Sequence, residues 1–356
     1  MSFPILDNVA KSARHTTFYL SCGDARATPI VFLHGWPEMS ISWRGQLPVF
    51  GELGFRAIAP DMRGYGRSSV YPRHEDYPLE QVVADMIDLV DSLNAEKAIW
   101  VGHDWGAPVV WSIAQHHPQR CHGIANLCVP YFPNGFAVET VVPLADRSVY
   151  PADKFPVAQW DYQLFYRENF AIAQAGFESN VGATIRALFR AGDPEAKGKP
   201  ARTAFVSANQ GYFGPGNSGA PDLPRDPAVL NEEDEHRYAA SLERNGFFGP
   251  CSWYMNWKAN LAYAERARAN WRLNMPVLFL HAAYDAICET LASRLAEPMR
   301  AHCHNLMEAT IPSGHWMAQE KPVEVNAALA QWLASQFPML WAALPLPRND
   351  DLIPLR

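Results

Sequence analysis

Ala98-Ile99-Trp100-Val101-Gly102-His103-Asp104-Trp105-Gly106-Ala107 decides the fold. Residues 98–101 form a short apolar run rich in β-branched and aromatic side chains, as a buried strand requires. From residue 107 to 117 the apolar spacing becomes helical. Between them, Gly102 and Gly106 flank Asp104 at a strand-to-helix turn, the geometry of a nucleophile elbow. That position usually carries serine, and aspartate changes the chemistry. Serine needs a base to take its proton, whereas a carboxylate is already an anion at neutral pH. Attack of a carboxylate on a carbonyl gives a labile anhydride, but attack on a saturated carbon bearing a leaving group gives an ester. Aspartate is also a favoured helix cap, so this motif needs support from the rest of the chain.

Outward from the motif, strand-like runs at 16–20, 30–33, 56–59, 98–101 and 123–128 alternate with helical patterns near 41–53, 79–93 and 107–117. The alternation returns with a strand at 277–280, a helix at 289–299, a strand at 306–311 and a helix at 323–337. It predicts an α/β fold, a mostly parallel twisted sheet with helices on both faces. Between about 130 and 274 the rhythm breaks into helices, at 160–170, 179–190, 232–245 and 251–270, joined by loops rich in Pro and Gly, notably 211–227. An all-helical insertion between strands of an open sheet sits over the carboxyl edge, where such sheets bind ligands. The expected division is a core from 1–133 and 273–356 with a helical lid at 134–272. A separate helical domain with its own partner is the structural alternative. The tail 345–356 reads as an extended arm or a frayed end.

Composition excludes other classes. The 356 residues are 48% hydrophobic and 19% charged, an ordinary globular balance. The net charge of −7 comes without a basic block, which argues against nucleic acid and anionic membrane partners. Residues 1–15 lack the pattern of a signal peptide, and no run reaches the ~18 apolar residues of a membrane span. The six cysteines are scattered without C-x-x-C spacing, the usage of reduced thiols in a cytoplasmic protein. His302-Cys303-His304 reads as packing or surface rather than as a metal site.

Three other segments support the elbow. Val31-Phe32-Leu33-His34-Gly35-Trp36-Pro37-Glu38 is an apolar strand breaking into a glycine turn. A backbone N–H from such a loop joins the one after the nucleophile in an oxyanion hole, here Trp36 and Trp105. Asp285 follows the 277–280 strand, and His315 follows the 306–311 strand. The chain order Asp104, Asp285, His315 is that of nucleophile, acid and histidine. Glu289 lies close enough in sequence to compete with Asp285 as the acid.

His34-Gly35-Trp36-Pro37, Asp61-Met62-Arg63-Gly64-Tyr65-Gly66-Arg67-Ser68, Gly102-His103-Asp104-Trp105-Gly106 and Gly314-His315-Trp316 together resemble the soluble epoxide hydrolase family, the aspartate-nucleophile branch of the α/β-hydrolase superfamily. The resemblance covers residues 16–337. It implies the α/β-hydrolase fold with a lid (cap) domain, Asp104 as nucleophile, His315 as general base and Asp285 as its orienting acid. Trp160-Asp161-Tyr162-Gln163-Leu164 and Gly249-Pro250-Cys251-Ser252-Trp253-Tyr254 resemble the two lid segments that supply ring-opening tyrosines. Chemistry also calls for such groups, because opening the ring makes an alkoxide and a phenol of pKa ~10 can protonate it while staying protonated at neutral pH. The implied reaction turns an apolar epoxide and water into a vicinal diol with no cofactor and no metal. A homodimer is left open. Met255, where the family commonly has a basic residue, and the long 211–227 loop depart from the family's pattern in the lid.

Haloalkane dehalogenase is the nearest rival, sharing the aspartate, the following tryptophan and the histidine. A halide leaves without a proton, so Tyr162 and Tyr254 favour the epoxide. Trp105 stands where fluoroacetate dehalogenases carry arginine, and Asp104 itself argues against a serine esterase. A non-catalytic binding protein on a hydrolase core is the alternative of another class.

Overall fold

The computed structural model describes residues 3–215, 218–267 and 270–342; the expected tail at 345–356 lies outside them. Strands β1 (Leu6–Lys11), β2 (Thr16–Cys22), β3 (Pro29–Leu33), β4 (Arg56–Pro60), β5 (Ala98–His103), β6 (Cys121–Leu127), β7 (Leu273–Ala282) and β8 (Cys303–Ile311) form one sheet. Its spatial order is β1-β2-β4-β3-β5-β6-β7-β8. The pairings β1–β2 and β2–β4 are antiparallel, and all the others are parallel. The expected α/β architecture is therefore the observed one. β1 was not anticipated: only its partly buried alternate residues mark it, and Leu6 and Val9 remain more than half exposed at the sheet edge.

β3 and β5 are buried at every position, because helices cover both faces of a parallel sheet and no residue needs a polar side. Helix Leu79–Ser92 buries Leu79, Val82, Val83, Met86, Leu89 and Val90, the i, i+3, i+4, i+7 stripe of a helix lying on a sheet. Helix Gly106–His116 is buried almost all round and tolerates Pro108 because its first turn needs no backbone donor there.

Two expected helices of the sheet layers differ, those at 41–53 and 289–299. The 41–53 pattern is a short 3-10 turn, Ser40–Trp43, followed by helix Leu47–Glu52, with Gly45 at the break and Pro48 in the first turn of the helix. At 289–299 the chain stays irregular until helix Glu297–His302. There the Glu289 carboxylate accepts backbone N–H groups from Leu291, Ala292 and Ser293, each at 2.7 Å, a local turn that competes with a helix.

Between β6 and β7 the described chain forms helices and turns only, chiefly Asp161–Glu168, Phe170–Glu178, Val181–Leu188, Glu232–Asn245 and Trp257–Arg266. The expected 160–170 helix stops at Glu168, and a separate helix starts at Phe170. No helix among the described residues is long and apolar enough to cross a membrane.

Candidate active site

The ends of β3, β5, β7 and β8 all open at the carboxyl edge of the sheet, and each carries one part of the site. Asp104 closes the elbow after β5 with φ +48°, a left-handed conformation that is strained for most residues but tolerated by Asp and Asn. The turn is this tight because the neighbouring backbone has no room for side chains. A Cβ at Gly106 would lie 2.1 Å from the Leu33 carbonyl oxygen, and one at Gly35 would lie 2.2 Å from Asp104 Oδ1. The same closeness lets the Trp36 N–H donate to Asp104 Oδ1 at 2.6 Å. Trp105 supplies the backbone nitrogen at the head of helix Gly106–His116 and packs its ring edge-on against Tyr254, centroids 5.1 Å apart.

His315 Nε2 is 3.5 Å from Asp104 Oδ2, and its Nδ1 is 2.7 Å from Asp285 Oδ2. Asp285 Oδ1 accepts the N–H groups of Ile287 and Cys288 at 2.9 and 3.0 Å. Burial works against the charge of Asp285, but His315 and these donors outweigh it and hold its pKa below the usual carboxylate range. Burial also opposes a charge on His315, yet Asp285 and the contact with Asp104 raise its pKa well above the ordinary value. Asp285 therefore lies against the histidine, while Glu289 is occupied by its own backbone turn.

Opposite Asp104, Tyr162 from helix Asp161–Glu168 and Tyr254 from the turn Trp253–Asn256 face each other, ring centroids 5.7 Å apart at 76°. Gln163 Nε2 donates to the Tyr162 hydroxyl at 3.1 Å. Burial raises both phenol pKa values well above 10.0, with the Asp104 charge adding to it. Trp36, Asp104, Tyr162, Tyr254, Asp285 and His315 line one cavity of about 310 Å³; Trp105 lies just behind it.

Several groups at the site escaped the sequence reading. His103 Nδ1 donates to Glu38 Oε2 at 2.8 Å and Nε2 to the His315 carbonyl at 2.8 Å. Two donated bonds require an imidazolium; burial opposes it, but Glu38 lifts the pKa to about 10. Glu38, which burial alone would push up, is held at about 2 by His103. Glu38 also accepts the Gly35 N–H at 3.0 Å and a bond from Gln319 at 2.8 Å. One buried ion pair thus ties together the loops after β3, β5 and β8. The signal was the position of both residues inside quoted motifs, but nothing in the sequence joined Glu38 to His103. Tyr166, one helical turn beyond Tyr162, also lines the cavity.

The Arg63 guanidinium in Asp61-Met62-Arg63-Gly64 makes a two-pronged bond to buried Asp85, at 2.7 and 2.8 Å. Removing one partner of such a buried pair costs about 3–5 kcal/mol, so the motif serves the scaffold under the site. Two groups of metal-ligating residue types stand close together among the described residues, His103, Cys128 and His315, and Asp285, Cys288 and His315. The ring nitrogens of both histidines already have the protein partners given above. His302 Nδ1 donates to the Pro298 carbonyl at 2.9 Å, so the structure does not gather His302, Cys303 and His304 into such a group.

A family model described as alpha/beta hydrolase fold matches residues 28–322. Epoxide hydrolase A of Mycobacterium tuberculosis (strain ATCC 25618 / H37Rv) is 31% identical over 315 residues, 88% of this chain and 92% of that protein. Bifunctional epoxide hydrolase 2 of Sus scrofa is 31% identical over 310 residues, 85% of this chain and 51% of the relative. The chain thus spans about half the length of that relative. The crystal structure of epoxide hydrolase A from Mycobacterium thermoresistibile has a TM-score of 0.76 and 28% identity, covering 93% of this chain and 98% of that one. The chain belongs to the α/β-hydrolase fold family, in its epoxide hydrolase branch.

Proposed function

We propose that the protein hydrolyses an epoxide to a vicinal diol through a covalent ester on Asp104. One observation carries the reading: a single cavity holds a carboxylate, an N–H donor on one of its oxygens, and a histidine–aspartate pair, all facing two phenols. The relatives named epoxide hydrolase support it. Among the described residues, those within 134–272 act as the lid that brings the phenols over a core drawn from those within 1–133 and 273–356.

Asp104 Oδ1, held by Trp36, becomes the ester carbonyl oxygen, which leaves Oδ2 to attack a ring carbon. The carbon–oxygen bond of the ring breaks as that oxygen takes a proton from Tyr162 or Tyr254. A water, deprotonated by His315, then adds to Cγ of Asp104. The tetrahedral oxyanion is held by the N–H groups of Trp36 and Trp105, each such donor contributing ~3–4 kcal/mol in comparable sites. Collapse expels the diol oxygen, which takes the proton from His315, and the proton of the regenerated acid restores the phenol. No step calls for a metal or an organic cofactor. A dehalogenase would leave the two phenols without work, since a halide departs unprotonated.

The test is a His315→Gln variant, which should open the ring but leave the ester intact. Intact-protein mass spectrometry should show one added substrate mass, mapping to the peptide with Asp104 and absent from Asp104→Ala. Diol formed at the parent rate by His315→Gln, with no adduct, would mean direct attack of water and would overturn the covalent reading.

A further inference from the structure

His315 stands on a loop gripped from two sides. From below, His103 donates to the His315 carbonyl. From above, the Gly314 N–H donates to Glu320 Oε2 at 2.8 Å, and the same oxygen accepts the Gly192 N–H at 3.1 Å. Gly192 lies in the lid, just past helix Val181–Leu188. The two glycine backbones touch: a Cβ at Gly192 would fall 2.3 Å from the Gly314 nitrogen. Beside them Trp316 Nε1 donates to the Leu188 carbonyl at 2.8 Å, and the Trp316 ring stacks on Phe189 at 4.3 Å and 16°. A five-residue stretch of lid is thus fastened to the loop that carries the histidine, and Glu320 is the side chain bonded to both.

We propose that Glu320 is a positioning residue that couples lid seating to the second chemical step. Through Oε2 it fixes the lid backbone at Gly192 to the loop of His315, so that the imidazole addresses the ester only while the lid is seated. The inference rests on the assignment of Asp104 as nucleophile and His315 as base. It is specific for ester hydrolysis because the phenols have other anchors. Trp253, beside Tyr254, donates to the Arg63 carbonyl at 3.1 Å, and Gln159, near Tyr162, donates to the Ile287 carbonyl at 3.3 Å. Ring opening needs Asp104 and the phenols, none of which hangs on Glu320. The two N–H groups need only an acceptor oxygen, which glutamine also offers and alanine does not.

The experiment is a single-turnover reaction with a terminal aryl epoxide, quenched at intervals, with the Asp104 peptide adduct followed by mass spectrometry. Glu320→Ala should form the adduct within about twofold of the parent rate and lose it about tenfold more slowly, since small displacements of a catalytic group have effects of this size or larger. Glu320→Gln should match the parent in both phases. Gly192→Ala, which drives a Cβ into Gly314, should show the same slow decay and carries the test if Glu320→Ala does not fold. Parent-like decay in the folded variants overturns the proposal, and so does equal loss in Glu320→Ala and Glu320→Gln. Absence of adduct in both the parent and His315→Gln overturns the covalent reading itself, and this inference with it.

Discussion

Replacing each lid tyrosine by phenylalanine should separate catalysis from stability, with the same loss of rate at both positions but a loss of stability at one of them only. The Tyr162 hydroxyl accepts from Gln163 Nε2, and Gln163 is buried at 3% exposure. Tyr162→Phe strands that donor, which costs about 1–3 kcal/mol. The Tyr254 hydroxyl has no protein hydrogen-bond partner among the described residues, so Tyr254→Phe should leave stability within ~0.5 kcal/mol of the parent. In catalysis the two should look alike. The rings are 5.7 Å apart, close enough to address one epoxide oxygen, and either phenol remains as donor when the other is lost. A general acid acting alone contributes ~10²–10⁴-fold, so each single variant should lose less than this in adduct formation and the double variant should reach it. The assays are urea unfolding and the rate of adduct growth on Asp104. Equal stability of the two single variants would refute the assigned role of Gln163. Parent rates in the double variant would refute the phenols as proton donors.

On the proposed mechanism, adduct decay should rise with pH through one ionisation, because a histidine can serve as a base only when neutral. Alkylation removes the Asp104 charge that helps to raise the His315 pKa, so the midpoint in the adduct should fall below that measured for His315 by NMR in the free enzyme. The buried Glu38–His103 pair should shape thermal stability. The folded pKa of His103 is about 10 against an ordinary 6.5, so its contribution is complete below about pH 6.5 and is lost as pH rises through about 10. That of Glu38, about 2 against 4.5, is complete above about pH 4.5 and lost as pH falls toward 2. Differential scanning calorimetry should show the melting temperature falling between pH 7 and 10, with Glu38→Gln lower and flatter over that span; removing one partner costs ~3–5 kcal/mol. Prolonged chelation should leave diol formation unchanged; loss restored by a divalent metal would contradict the cofactor-free scheme.

Legibility in the sequence followed locality. The strands at 30–33 and 98–101 were readable because a strand buried on both faces writes itself as an unbroken apolar run. The 232–245 helix has its limits set locally: the Asn231 side chain caps it by accepting the Asp234 N–H at 2.8 Å, and Gly246 ends it at φ +71°. Asp104, Asp285 and His315 could be picked out because each follows a strand by a few residues. Tyr162 and Tyr254 came only from likeness to known lids; nothing in their spacing brings two residues 92 positions apart to 5.7 Å. Glu38 and His103 were missed for the same reason, since they meet across 65 residues, and so was the lid contact of Glu320, whose partner Gly192 lies 128 residues away; an acidic residue near a turn looks like any solvated loop carboxylate. The helix expected at 289–299 failed because Glu289 bonds its own backbone more effectively than a helix would.

β6 and β7 are adjacent and parallel, yet everything between residues 127 and 273 separates them in sequence. Parallel neighbours cannot be joined by a tight turn; the chain must leave at one edge of the sheet and re-enter at the other, which takes a dozen residues or more. The segment that supplies Tyr162, Tyr166 and Tyr254 to the cavity wall is therefore also the bridge that sets the direction of β7. It cannot be excised like a hairpin loop. A shortened chain must still carry a bridge across the sheet, and a lid grafted from a relative must bring its own return path, or β7 will be delivered to the wrong edge with Asp285 at the far end of the molecule from Asp104.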